Sequence, residues 1–324
     1  MSQIRHTDIV ILGGGPAGLT AAIYAARNNR KTLVIERQTY GGQLSGTEAV
    51  ENFPGFREAV SGWDLSENMR AQAERFGTEF LYDEATSIEL RDNGRTKVIT
   101  TLSEEIHAPV LILATGSRPR LLGAPGEEKY WGRGISTCAT CDGAFFRGKD
   151  VVVIGGGDAA VEEGTFLTNF VNKVTLVHRR DQLRATPILQ KRALENPKME
   201  FAWDSVVEEY IGDEKLQGVR VRNVKTNEVR DIHAPGVFIF IGHIPNTDLV
   251  KDILELDEHG MVKAQPTTRT NVPGVYAVGD LRVGAYRQAV TAAADGCMAA
   301  INANHYLADL ADATEGELAG AHSH

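Results

Sequence analysis

The first apolar run of the chain, Ile9-Val10-Ile11-Leu12, is short and carries no polar alternation, and it reads as a strand buried in a parallel sheet. Glycines follow at once, Gly13-Gly14-Gly15-Pro16-Ala17-Gly18, and then an alanine-rich stretch that predicts a helix from about Leu19 to Arg27. A second strand, Thr32-Leu33-Val34-Ile35, ends on Glu36. The same order returns later in the chain. Val151-Val152-Val153-Ile154 leads into Gly155-Gly156-Gly157-Asp158-Ala159-Ala160, a helix to about Phe170, and the strand Val174-Thr175-Leu176-Val177, which ends on His178-Arg179-Arg180. Two more strand-like runs end in turns, Val110-Leu111-Ile112-Leu113 on Ala114-Thr115-Gly116 and Val275-Tyr276-Ala277-Val278 on Gly279-Asp280.

Strand, glycine turn, helix, strand is the pattern of a dinucleotide-binding unit. Its first glycine permits the tight turn, and its second lets the backbone approach a pyrophosphate. The third small residue, Gly18 or Ala160, lets helix and strand pack closely. The pyrophosphate then sits over the positive end of the helix. Two such units predict an α/β fold of two three-layer, Rossmann-like domains.

The copies differ in their chemistry. Glu36 and His178 both lie 23 residues beyond the first glycine of their unit. At that offset an acid accepts from free ribose hydroxyls, whereas arginine accommodates a 2′-phosphate. Glu36 therefore fits FAD. His178, Arg179 and Arg180, with Arg184 one turn on, fit NADPH, since guanidinium groups match a phosphate dianion. Two nucleotides of these kinds imply electron transfer from NADPH to a flavin.

Cys138-Ala139-Thr140-Cys141-Asp142 stands shortly before the second glycine turn. This spacing allows a disulfide if the segment opens a helix, and the positive end of that helix would favour a thiolate. A zinc site would need two further ligands. The only other cysteine, Cys297, sits far along the chain in an alanine-rich segment and reads as a small buried hydrophobe. Asp142 can serve either as a proton donor in thiol exchange or simply as a helix-start carboxylate. The histidines lack partners at ligand spacing. A polar tail from about Ala311, closed by His322 and His324, is expected to be frayed, and no metal is assigned.

Composition adds limits. With 324 residues there is room for two domains, and 34 Lys plus Arg against 43 Asp plus Glu give a net charge of −9. Nothing in that balance favours nucleic acid or an anionic membrane. No run resembles a signal peptide or a membrane span. Three cysteines suit a reducing compartment, so a cytoplasmic protein is expected.

Further motifs bring a resemblance into view: Gly41-Gly42-Gln43-Leu44, Val50-Glu51-Asn52-Phe53-Pro54-Gly55, Phe240-Ile241-Gly242-His243-Ile244-Pro245-Asn246-Thr247 and Tyr286-Arg287-Gln288-Ala289. From about Asp8 to Leu310 the chain resembles the low-molecular-weight thioredoxin reductases of bacterial type. The resemblance implies that the NADPH domain is inserted into the FAD domain. The division it implies is 1–118 and 247–324 for FAD and 119–246 for NADPH and the redox disulfide, with crossings near Pro119 and Pro245. It also implies a homodimer, a rotation between domains during turnover, and a separate thioredoxin as substrate.

By the same resemblance Cys141 faces the flavin, Cys138 attacks the substrate disulfide, and Asp142 supplies a proton. FAD is expected at the first glycine turn (Gly13, Gly15, Pro16, Ala17, Gly18), at Glu36, and at Gly42, Gln43, Leu44 and Asn52. It is also expected at Ala114, Thr115 and Gly116, and at Gly279, Asp280, Arg287, Gln288 and Ala289. NADPH is expected at Gly155, Gly157, Asp158, Ala159, His178, Arg179, Arg180 and Arg184. One departure is visible: Leu281-Arg282-Val283-Gly284-Ala285 lacks the acid that the family carries before the tyrosine, which leaves this loop unexplained. Rival readings keep the fold with another electron donor (ferredoxin or NADH) or another small disulfide protein as acceptor, or make the chain a nucleotide-binding scaffold without turnover.

Overall fold

The computed structural model describes residues 3–47 and 49–321. The chain forms two compact units, one of residues 1–118 and 244–324 and the other of residues 119–243. The parallel-sheet and helix layers of the first unit begin with β1 (Ile9–Leu12), α1 (Pro16–Arg27), β2 (Thr32–Glu36), α2 (Gly62–Arg75), β3 (Glu79–Tyr82) and β4 (Val110–Leu113). The second holds β5 (Ile135–Ser136), α3 (Ala139–Asp142), β6 (Asp150–Gly155), α4 (Asp158–Leu167), β7 (Lys173–Val177), α5 (Pro187–Leu194), β8 (Met199–Ala202) and β9 (Gly236–Phe240). The chain then returns to the first unit with β10 (Val275–Ala277) and α6 (Ala289–Ala321).

Each unit is built on a five-stranded parallel sheet, in the order β10-β4-β1-β2-β3 in the first and β5-β9-β6-β7-β8 in the second. The strands are apolar throughout because both faces of each sheet are covered. In the first unit Ile9, Ile11, Val34, Val110 and Ile112 pack against alanines of α1 and α6. Their neighbours Val10, Leu12, Leu33, Ile35 and Leu111 face Ile88, Ile99 and Ile106 of a second, mostly antiparallel sheet. In the second unit Val151, Val153 and Leu176 lie under α4, while Val152, Ile154 and Val177 pack on Val219 and Val221 of a three-stranded antiparallel sheet. The third layer of each unit is thus a sheet where a helical layer is the commoner solution.

Helix boundaries differ modestly from the sequence reading. α1 begins at Pro16, because proline at the first helical position loses no hydrogen bond. α4 ends at Leu167, since Thr168 turns its hydroxyl back onto the Thr165 carbonyl. The loose tail expected from Ala311 is instead helical: α6 continues to Ala321, its alanines, glutamates and leucine in this stretch outweighing the two glycines among them. His322 and His324 lie outside the described residues. The second unit closes at His243, short of the expected 246. Asn246 belongs to the first unit because its amide donates to the Gly116 carbonyl at 3.0 Å. Among the described residues no helix is long and apolar enough to cross a membrane.

Candidate active site

In the first unit the turn between β1 and α1 depends on two glycines. Gly13 has φ +103°, and a Cβ there would fall 2.4 Å from the Ala114 carbonyl oxygen. A Cβ on Gly18 would fall 1.9 Å from the Gly13 oxygen, so the close helix–strand packing read from the sequence is present. No side chain caps α1, and at its start Gly15 and Gly42 lie close together with only backbone near the position of an added Cβ. Uncapped helical amides in a side-chain-free cradle are the donors that a pyrophosphate needs.

Several of the residues expected around FAD are held by hydrogen bonds within this unit. Glu36, at the carboxyl end of β2, accepts from the Gly14 amide at 2.8 Å and the Gln38 amide at 2.9 Å. Its carboxylate is therefore fixed beside the turn. The Gln43 side chain donates to the Ser117 carbonyl. Asn52 donates to the Gln288 side chain at 3.2 Å, joining segments 236 residues apart. Arg287 holds a left-handed φ of +54°, a conformation that costs energy in any residue but glycine and concentrates at functional sites. Asp280 is buried enough to raise its pKa; Arg287 opposes the shift and Asp295 adds to it.

Two contributors here were missed by the sequence reading. Asn246 and Thr115 bond reciprocally, side chain to main-chain carbonyl, at 2.7 Å each way. Asp295 of α6 accepts from the Gly279 amide at 3.0 Å and binds Arg282. It is the one charged residue in the alanine-rich run from 289 to 304, a signal that was available. Cys297, expected to be buried, is only half-buried.

The second unit repeats the cradle with different walls. Gly157 precedes α4 without a side-chain cap, and a Cβ there would meet nothing within 4 Å. His178 does not point outward with its neighbours. It is buried, its ring lies against Gly156 where a Cβ would come within 2.3 Å, and burial lowers its pKa. Arg179, Arg180 and Arg184 are exposed. Their loop is tied to the turn by the Arg184 amide on the Gly156 carbonyl at 2.7 Å and the Thr186 amide on Asp158 at 2.6 Å. Asp158 thus braces the loop with its carboxylate.

Cys138 and Cys141 form a disulfide with Cα atoms 5.3 Å apart, in the second unit. Cys138 is the N-cap of α3, and its sulfur accepts from the Cys141 amide at 3.2 Å, so a negative sulfur at Cys138 has a donor in place. Asp142 follows, half-buried, with its pKa raised by desolvation; a hydrogen bond from Ser136 opposes the shift. Ser136 also accepts from the Cys138 amide at 3.0 Å. Glu163 of α4, a further residue not foreseen, interacts with the Ala139 amide, and burial raises its pKa. Buried polar atoms without a protein partner are rare in native structures. Ser117 Oγ, His178 Nε2 and Glu163 Oε2 are such atoms, beside the first cradle, under the second and near the disulfide turn respectively.

A reactive disulfide beside a nucleotide cradle defines a class of redox enzyme, and the comparisons agree. Residues 7–296 match the pyridine nucleotide-disulphide oxidoreductase family, and the chain belongs to it. Within that family it is similar to a thioredoxin reductase of Streptomyces clavuligerus, 51% identical over 97% of this chain and 98% of that one. A thioredoxin reductase of Streptomyces coelicolor is 50% identical over 98% of each chain. The solved structure of thioredoxin reductase from Streptococcus pyogenes superposes with a TM-score of 0.89 at 46% identity, covering 94% of this chain and 99% of that one.

Proposed function

We propose that this chain is an FAD-containing, NADPH-dependent thioredoxin-disulfide reductase. The observation that carries the proposal is the Cys138–Cys141 disulfide, which lies in the same compact unit as the glycine turn and its arginine loop. The relatives above, named thioredoxin reductases over nearly their whole length, support thioredoxin as the acceptor.

Glu36, the Gly13–Gly18 turn and the strand ends at Thr115 and Asp280 hold FAD in the first unit. Gly155, Gly157, Arg179, Arg180 and Arg184 hold NADPH in the second. FAD held in the first unit would supply the two-electron relay between NADPH and the disulfide. Cys141 receives the electrons, and the sulfur–sulfur bond breaks. The Cys138 thiolate, stabilised by the Cys141 amide, attacks the thioredoxin disulfide and forms a mixed disulfide. One thioredoxin sulfur leaves and takes a proton from Asp142, whose buried carboxyl keeps its proton more readily than an exposed one. Cys141 then attacks Cys138, releases the second thioredoxin thiolate and restores the disulfide. The likeness to thioredoxin reductases supports a rotation between the two units within each turnover. The enzyme acts in the cytoplasm as a homodimer. Tyr24, Val290 and Ile301, apolar side chains left exposed on α1 and α6, are suited to such a contact.

The test is one coupled assay. NADPH oxidation should require added thioredoxin, NADH should support it poorly, and NADPH alone should bleach a flavin absorbance anaerobically. Protein that oxidises NADPH with no dependence on any disulfide acceptor would overturn the reading.

A further inference from the structure

Three acids stand on or beside the arginine loop of the second unit: Asp158, Asp181 and Asp204. Any of them could neutralise Arg179, Arg180 or Arg184, and a paired guanidinium is a poor phosphate ligand. Yet none of the three arginines takes part in an ion pair among the described residues. The acids are engaged elsewhere. Asp158 accepts the Thr186 amide at 2.6 Å. Asp181 and Asp204 are both held by one cation, Lys225 Nζ, at 2.9 and 3.0 Å. Lys225 lies at the turn after the strand Leu216–Asn223, in the small antiparallel sheet that forms the third layer of this unit.

The surrounding backbone keeps this arrangement in register. The Asp204 amide donates to the Arg180 carbonyl at 3.1 Å, and the Val224 amide to the Asp204 carbonyl at 2.6 Å. Asp204 itself has φ +51°. The Asn223 side chain accepts from the amides of Lys225 and Thr226 at 2.9 and 3.0 Å, which fixes the turn that presents the lysine. Asp181 is ionised across the neutral range, since Lys225 lowers its pKa.

We propose that Lys225 is a positioning residue for cofactor selectivity: by claiming Asp181 and Asp204 it keeps the arginines of the loop free for the 2′-phosphate of NADPH. The inference rests on the reading of Arg179, Arg180 and Arg184 as that phosphate site and adds the residue that keeps them available. Without Lys225, Asp181 turns toward its arginine neighbours and competes with the phosphate. NADH, which has no 2′-phosphate, is indifferent to that competition.

The experiment measures NADP⁺ and NAD⁺ dissociation constants by titration calorimetry on the holoenzyme at low ionic strength. The variants are Lys225→Met, Asp181→Asn, the double variant, and Arg179→Ala/Arg180→Ala as control. Lys225→Met should weaken NADP⁺ about three- to fivefold, the scale of an exposed charge pair, and leave NAD⁺ unchanged. Adding Asp181→Asn should return part of the lost NADP⁺ affinity, because one of the two released carboxylates is gone while Asp204 remains. Equal weakening of both nucleotides, no change, or failure of the double variant to recover would overturn the proposal. The control separates the two readings. If the arginine variant loses NADP⁺ selectively while Lys225→Met does not, only the role of Lys225 fails. If the arginine variant weakens both nucleotides alike, the phosphate site itself has been misassigned and the role of Lys225 falls with it.

Discussion

Arg282 closes a two-pronged ion pair on Asp295, Nε to Oδ2 at 2.6 Å and Nη2 to Oδ1 at 2.8 Å, with both side chains largely buried. The same carboxylate accepts the Gly279 amide, so Asp295 grips the turn on both sides of Asp280. The loop whose sequence departs from the family pattern is thus tied to α6, Asp295 on the helix holding Arg282 on the loop.

Breaking that pair from one side should be costly. Arg282→Leu leaves a buried carboxylate facing Asp280, and loss of one partner of a buried pair costs about 3–5 kcal/mol. The variant should unfold at lower denaturant and release FAD more readily, as followed by flavin fluorescence. Replacing both residues with leucine should recover part of the loss. A single variant as stable as the parent would show that the pair contributes nothing.

Gly18→Ala tests the first cradle by shape alone. Its Cβ would sit 1.9 Å from the Gly13 carbonyl oxygen, a backbone atom that cannot swing aside. The expected product is folded protein with little or no bound flavin, visible as loss of yellow colour with retained helical circular dichroism. Stoichiometric flavin in that variant would contradict the geometry described.

Asp142→Asn separates catalysis from stability. The pKa of Asp142 is raised in the folded state, so as pH rises the unfolded chain loses this proton first and stability falls. The asparagine variant should therefore be at least as stable as the parent at neutral pH. Thioredoxin reduction should nevertheless slow, about a hundredfold if the carboxyl is the proton donor. The parent's rate should decline as pH rises through the raised pKa, and the variant should lack that decline. Unchanged rates across pH would remove Asp142 from the chemistry.

Lys97 supplies a pH signature of the fold. It is fully buried, donates to the Pro109 carbonyl at 2.8 Å, and lies 5.2 Å from the centre of the Tyr306 ring. Burial lowers its pKa from 10.5 to about 8. Above that value the folded chain releases a proton that the unfolded chain retains, so this residue makes stability rise between about pH 8 and 9.5. Higher still, ionisation of Tyr276 and Tyr306 in the unfolded chain works in the opposite direction. Urea midpoints across the lower window should climb in the parent and stay flatter in Lys97→Met; parallel profiles would count against the assignment.

The sequence by itself determined the features set by short-range sterics and register. The two glycine turns, the strand ends at Glu36 and Arg179, and the C-x-x-C pair with Asp142 are legible because a turn, a strand length or a three-residue spacing is a local constraint. Tertiary structure decided what depends on partners far along the chain. The antiparallel third layers came from strands whose half-polar runs carry no address for the sheet they cover. His178 and Arg179 are adjacent in sequence and equally polar, yet one packs beneath Gly156 and the other faces solvent, because only the packed turn at Gly156 supplies the space that takes the imidazole ring. The grip of Asp295 on Arg282 and the hold of Lys225 on Asp181 span 13 and 44 residues; the lone charge of Asp295 in its alanine-rich run marks that residue, but no local pattern names either partner. Such pairings exist only once packed helices and sheets bring the charges within hydrogen-bond reach.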